Sequence, residues 1–177
     1  MDVLERVGSS RMMLEGKFPY PSAVDCMRYA IQEMAEYDDA RMRQDQPDHK
    51  RNNERQPDPR KELGQAFYMV LSGCLALKLD VEIEPPLDYE GIYEEWLKRT
   101  LYAGIIQDLG RLCADVFCAV DEIVPLYERP TIDELAGLAT DLLTSMGQLA
   151  NDHGWDVDDL ITETCEAFEA KHLGVQA

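Results

Sequence analysis

The stretch DPRKELGQAFYMVLSGCLALKL, residues 58–79, decides the fold. Asp58 is a good helix cap, and Pro59 suits the first helical position, where its missing N–H would have no partner anyway. From Leu63 to Leu77 the chain is apolar on nearly every side. A helix of that kind belongs in the middle of a bundle, wrapped by other helices. Glu62 and Gln65 stand one turn apart at its entrance. Residues 80–87, with three acids and a Pro-Pro pair, end it.

Upstream, Ser22 with Asp25 three residues on predicts a helix start, and the periodicity carries that helix to about Gln44. Val24, Met27, Ile31 and Met34 recur at three- and four-residue spacing as its core stripe. The connecting stretch, residues 45–58, is polar, proline-punctuated and the most basic part of the chain. It reads as a loop, either simply solvated or folding an Arg or Lys from the 43–61 region over an anionic ligand.

Downstream, helical periodicity returns from about Tyr89 to Ile123, with Gly104 and Gly110 as candidate bends. Thr131 and Glu134 form a capping box that opens a helix ending near His153-Gly154. Asp156 caps a last helix that reaches about His172 and is closed by Gly174. Strand-like alternation is confined to Val81-Glu82-Ile83. The expected architecture is a single all-α helical bundle over residues 1–177.

Two pairs of segments look alike. Ile31–Glu36 aligns with Ile106–Arg111, and Gln65 lies as far before Asp80-Val81 as Asp141 lies before Asp156-Val157. A degenerate duplicated helical hairpin would produce this. The second copy then has Arg111 in the place of Glu36 and Leu138 in the place of Glu62, so one working site is expected.

The net charge of −18 repels phosphate backbones and argues against nucleic-acid binding. No apolar run reaches the roughly 18 residues of a membrane span, and the N-terminal residues lack a signal peptide's apolar stretch. Five cysteines without a CxxC pair read as reduced thiols, which points to the cytoplasm. Cys113 and Cys118 are expected in the core. His49, His153 and His172 show no zinc or triad spacing, and Trp96 and Trp155 read as packing anchors.

The chemistry lies in the carboxylates. Glu33 and Glu36 sit one turn apart, so both project from one helix face; Tyr29 and Ala40 share that stripe. Glu62 enters a helix too apolar to bury a lone charge without compensation. Facing bundle helices can gather glutamates into a hard-oxygen site of the kind magnesium takes together with substrate phosphates. Singly, each of these acids also fits a solvated face, or for Glu62 a helix N-terminus. Their order favours a site: ExxE on one helix, a polar loop, then ELGQ opening a buried helix.

IQEMAEYDDARM followed by KELGQAFYMVLSGCLALKLDVE resembles the MazG-type all-α nucleoside triphosphate pyrophosphohydrolases. In that family ExxE on one helix is followed by ExxD at the start of the next long one. The resemblance covers residues 20–83, with a looser echo in LATDLLTSMGQLANDHGWDVDDLI. It implies Mg2+ or Mn2+ held by Glu33, Glu36, Glu62 and Gln65, with the three glutamates also catalytic. The implied reaction cleaves a nucleoside triphosphate to monophosphate and pyrophosphate. The family's assembly habit implies a homodimer or homotetramer. Relatives include housecleaning enzymes, dUTPases and phage MazZ-type enzymes acting on dGTP, and dGTP is the substrate this compact chain suggests. Gln65 departs from the pattern by standing where the family has aspartate. Asp38, Asp39 and Asp141 are candidate replacements, although Asp38 falls on the core stripe and Asp141 shares a polar stripe with Ser145, Gln148 and Asp152. Two other readings stay open: a catalytically degenerate bundle acting as regulator or assembly subunit, and an acidic DNA mimic.

Overall fold

A computed structural model describes residues 2–15, 22–45, 58–85, 94–120, 124–125 and 128–174, with the side chains of 45 and 94–99 left aside. The described elements are all helical: α1 Val3–Met13, α2 Ala23–Asp45, α3 Pro59–Leu77, α4 Glu94–Val120, α5 Ile132–Asp152 and α6 Val157–Leu173. No helix among them is long and apolar enough to cross a membrane.

The caps stand where the side-chain chemistry places them. Asp58 accepts from the Arg60 N–H with Pro59 behind it, Thr131 and Glu134 close a reciprocal capping box, and Asp156 accepts from the Asp159 N–H. Each such cap is worth about 1 kcal/mol. Ser22 Oγ accepts from the Asp25 N–H at 3.2 Å. The Tyr89 start expected for α4 and most of the 45–58 loop lie outside the described residues. From Glu94, α4 runs through Gly104 and Gly110 without a break.

α3 is the axis of the bundle. It packs against α2, α6, α1 and α5, while α4 lies along α5 and against α2. Its residues from Glu62 to Cys74 are buried apart from the half-buried Gln65. Two glycines set how closely its neighbours approach. A Cβ on Gly64 would lie 2.3 Å from Thr164 Oγ1 of α6, and one on Gly73 would lie 2.4 Å from Met27 Cε of α2. The two are nine positions apart (73 − 64), about two and a half turns, so they face opposite ways. α3 is thus clasped between α2 and α6.

The core face of α2 is centred differently from the expected stripe. Met27 and Met34 are fully buried, but their companions are Cys26, Ala30, Tyr37 and Ala40, whereas Val24 and Ile31 are only partly covered. Close helix contact selected small residues there over the larger aliphatics. α2 continues through the half-buried Asp38 to Asp45. α1 was not expected from its charged sequence. It is held by buried Val7 and Leu14 and by an Arg6–Glu169 ion pair of 2.6 Å to α6. The fully buried thiols are Cys26, Cys74 and Cys165; Cys113 and Cys118 are half-buried, because α4 covers only one of its faces.

The two hairpins end alike. At the end of α3 the Lys78 N–H donates to Leu75 O and the Leu79 N–H to Cys74 O. At the end of α5 the Gly154 N–H donates to Asn151 O and the Trp155 N–H to Ala150 O. Lys78 and Gly154 are both left-handed, with φ of 58° and 70°. Every pair of counterparts is separated by the same 76 positions (154 − 78), close to the offset of the sequence repeat. Afterwards the copies part: Asp156 caps α6, whereas residues after Asp80 run extended along α5, with the Glu82 and Glu84 N–H groups donating to Thr140 and Thr144.

Candidate metal centre

The α2–α3 pairing brings Glu33 and Glu36, one turn apart on α2, against Glu62 at the start of α3. One carboxylate oxygen from each lies within 4.8 Å of the others. Among the described residues this is the group of acids whose ligand atoms fall together. Glu62 is 5% exposed, Glu33 half-buried and Glu36 exposed, so the cluster grades from core to solvent.

Two unit charges 4.8 Å apart repel by roughly 3 kcal/mol at an effective dielectric of about 20. That repulsion favours a proton on one of the carboxyls. Burial, then the hydrogen bond with Glu62, then the charges of Glu36 and Glu62 push the Glu33 carboxyl up to about 7. Burial also raises Glu62, against the opposing pull of Lys61 and of the Glu33 hydrogen bond. Lys61 Nζ is 3.9 Å from Glu62 Oε1 on a largely exposed side chain, so it offsets the buried charge only in part.

Gln65 donates through Nε2 to Glu62 Oε2 at 2.7 Å, and Gln32 donates to Glu36 Oε1 at 3.0 Å. The amide at 65 thus orients a carboxylate. Asp38, Asp39 and Asp141 are not part of the group: Asp39 is paired with Arg43 at 2.5 Å, and Asp141 is exposed on α5. Gln148 and Asp152, from the polar stripe expected around Asp141, bond each other at 2.9 Å.

The donor set suits a small hard cation. Oxygens around magnesium at about 2.1 Å lie about 3 Å apart when adjacent and about 4 Å apart when opposite. A spread of 4.8 Å closes to that range by modest side-chain rotation, which exposed Glu36 has room to make.

Sequence reasoning missed a polar cluster between α2 and the end of α5. Tyr37, next to Glu36 on α2, meets His153 Nε2 at 2.7 Å, and His153 stacks on Trp155 with ring centroids 4.5 Å apart. Burial pushes the Tyr37 phenol up to about 12, so the phenol stays protonated, and the His153 tautomer sets which partner donates. The signal was the position of His153 and Trp155 just after a helix end, which periodicity does not weigh. Trp155 serves as the packing anchor expected of it.

Against known proteins, no family model, no curated protein and no solved structure matches the chain.

Proposed function

We propose that the chain is a metal-dependent nucleoside triphosphate pyrophosphohydrolase of MazG type, cleaving its substrate to monophosphate and pyrophosphate. The observation that carries this reading is the convergence of Glu33, Glu36 and Glu62 from two helices onto one point, with Glu62 buried and, among the described residues, the largely exposed Lys61 at 3.9 Å set against three carboxylates. Buried acids gathered this way destabilise a fold unless a proton or a metal compensates them. A divalent cation at the mouth of the central helix would compensate all three at once, which is what favours a metal ligand there.

Glu33, Glu36 and Glu62 would hold Mg2+ or Mn2+, with Gln65 steering Glu62. A bound divalent cation neutralises polyphosphate charge and makes water more acidic. One glutamate of the ExxE pair accepts the proton of the attacking water, which Glu36, facing solvent, is well placed to do. α3, clasped by α2 and α6, holds the Glu62 position fixed while substrate changes. The same reading carries dGTP as the substrate, a homo-oligomer and a cytoplasmic location as proposals.

The test is incubation with magnesium or manganese and each NTP and dNTP in turn, scoring monophosphate and pyrophosphate. Metal-dependent turnover is expected, reduced about 100- to 10,000-fold in Glu36→Gln. A folded, metal-supplied protein that turns over none of them would sink the reading. The degenerate-bundle alternative would then take its place; the neutral Gln65 where the family has aspartate favours it.

A further inference from the structure

Beside the carboxylates lies a cavity of about 340 Å³ between the start of α3 and the length of α6. That volume is at the small end for small-molecule sites, roughly 300–1,000 Å³. Gln65 and Lys61 belong to both places: each lines the cavity, and each touches or approaches Glu62. The cavity and the carboxylate cluster are therefore neighbouring compartments divided by two side chains.

The walls differ in chemistry. Leu160, Ala167 and Phe168 of α6 make an apolar side. The Phe168 ring packs against Tyr68, with centroids 4.8 Å apart, and lies parallel to His172 at the wider spacing of 6.4 Å. At the mouth, Arg60 is bound to Glu163 through Nε and Nη2 at 3.1 and 2.9 Å, which joins α3 to α6. Asp58 and Glu163 add negative charge to the lining, and Arg60, Lys61 and Lys171 add positive charge. With Arg60 and Glu163 neutralising each other and Asp58 capping α3, the apolar wall is what suits a flat heterocycle, and the lysines stand where it would join a charged group. Lys61, at the boundary, faces the side where phosphates would have to lie.

We propose, resting on the pyrophosphohydrolase reading, that the α3–α6 cavity receives the nucleoside of the substrate, stacked on Phe168, with Gln65 and Lys61 marking its junction with the triphosphate. Base selection then resides in α6, an element outside the carboxylate motif. Gly64 lets Thr164, which lines the cavity, come close to α3, since any Cβ at 64 would meet it.

The test separates this from the reaction itself. Saturation-transfer NMR would be recorded without divalent metal, using the common ribo- and deoxyribonucleosides one at a time and inorganic triphosphate as a contrasting probe. It would compare the wild-type chain with Ala167→Trp. Ala167 is exposed, so the indole fills the cavity without entering the core, and a thermal melt checks the fold. Expected is base-proton saturation by at least one nucleoside, weakened about tenfold or more by Ala167→Trp, with inorganic triphosphate unable to displace it. Absence of nucleoside binding, equal binding by the variant, or displacement by triphosphate overturns the assignment. Hydrolysis with an unchanged KM in Ala167→Trp also overturns it while leaving the pyrophosphohydrolase standing. Nucleoside binding lost in the variant, with no triphosphate hydrolysed by either protein, sustains the cavity and removes the enzyme.

Discussion

Gln65 gives one amide N–H to the Glu62 carboxylate at 2.7 Å. An aspartate at 65 could not do this; it would add another negative charge beside Glu62. The amide therefore steadies the metal-free cluster and offers less to a cation than a carboxylate would.

Gln65→Asp should accordingly destabilise the metal-free protein by about 1–2 kcal/mol, through the lost donor and the added repulsion. Magnesium should raise the melting temperature of the variant by more than it raises that of the wild type. Calorimetry with and without magnesium checks both signs, and an equal magnesium response would show that position 65 does not reach the ion.

Stability should depend on pH with a sign set by Glu33. Its carboxyl titrates near 4.5 ordinarily and near 7 in the fold. Between those values the folded chain binds more protons than the unfolded one, so stability falls as pH rises through the window. Burial of Glu62 acts in the same direction. Metal ligands must be deprotonated, so stabilisation by magnesium should grow across the same window. Thermal melts of the metal-free protein should slope downward with pH, and Glu33→Gln should flatten that slope. A flat wild-type profile would contradict the shared proton.

The two glycines of α3 should not be equivalent. Alanine at 64 meets both Thr164 Oγ1 and the Leu160 carbonyl at 3.2 Å, and that backbone cannot swing aside. Alanine at 73 meets first the mobile end of Met27. Gly64→Ala should cost about 1–3 kcal/mol and Gly73→Ala less. Adding Thr164→Ala should restore part of the loss at 64. Denaturant unfolding measures all of these, and a larger loss at 73 would refute the ranking.

Lys78 holds a left-handed conformation at φ 58° where its counterpart is Gly154. A side chain there costs on the order of 1 kcal/mol relative to glycine. Lys78→Gly should therefore raise the melting temperature by about 2–4 °C. A decrease would mean that the lysine side chain contributes more than its backbone strain removes.

Much of this fold was legible because local chemistry and tertiary packing agree. Asp58-Pro59, Thr131 with Glu134, and Asp156 with Gly174 bracket helices within a residue or two of their observed ends. The all-round apolar run of α3 announced its central position. Legibility failed where packing overrides pattern. α1 is polar in sequence and held by a few buried residues and one ion pair, and the face of α2 is centred on alanines that carry little weight in a search for large apolar residues. The carboxylates were legible as a spacing, ExxE then E. Their mutual distance required the α2–α3 crossing, which depends on Gly73, and the adjoining cavity required α6, whose nearness depends on Gly64. Neither approach is written in any periodicity.

The clasp on α3 also bears on how the site would be lost over evolutionary time. A substitution at Gly64 touches no carboxylate, yet it would push α6 from α3 at the turn that carries Glu62. Its first symptom would be a shortened lifetime of the folded chain, and selection would remove it as a folding lesion before any change in chemistry was felt. The geometry of the acids is thus guarded by residues outside the carboxylate cluster, whereas the exposed positions of α6 are free to change at little cost to the scaffold.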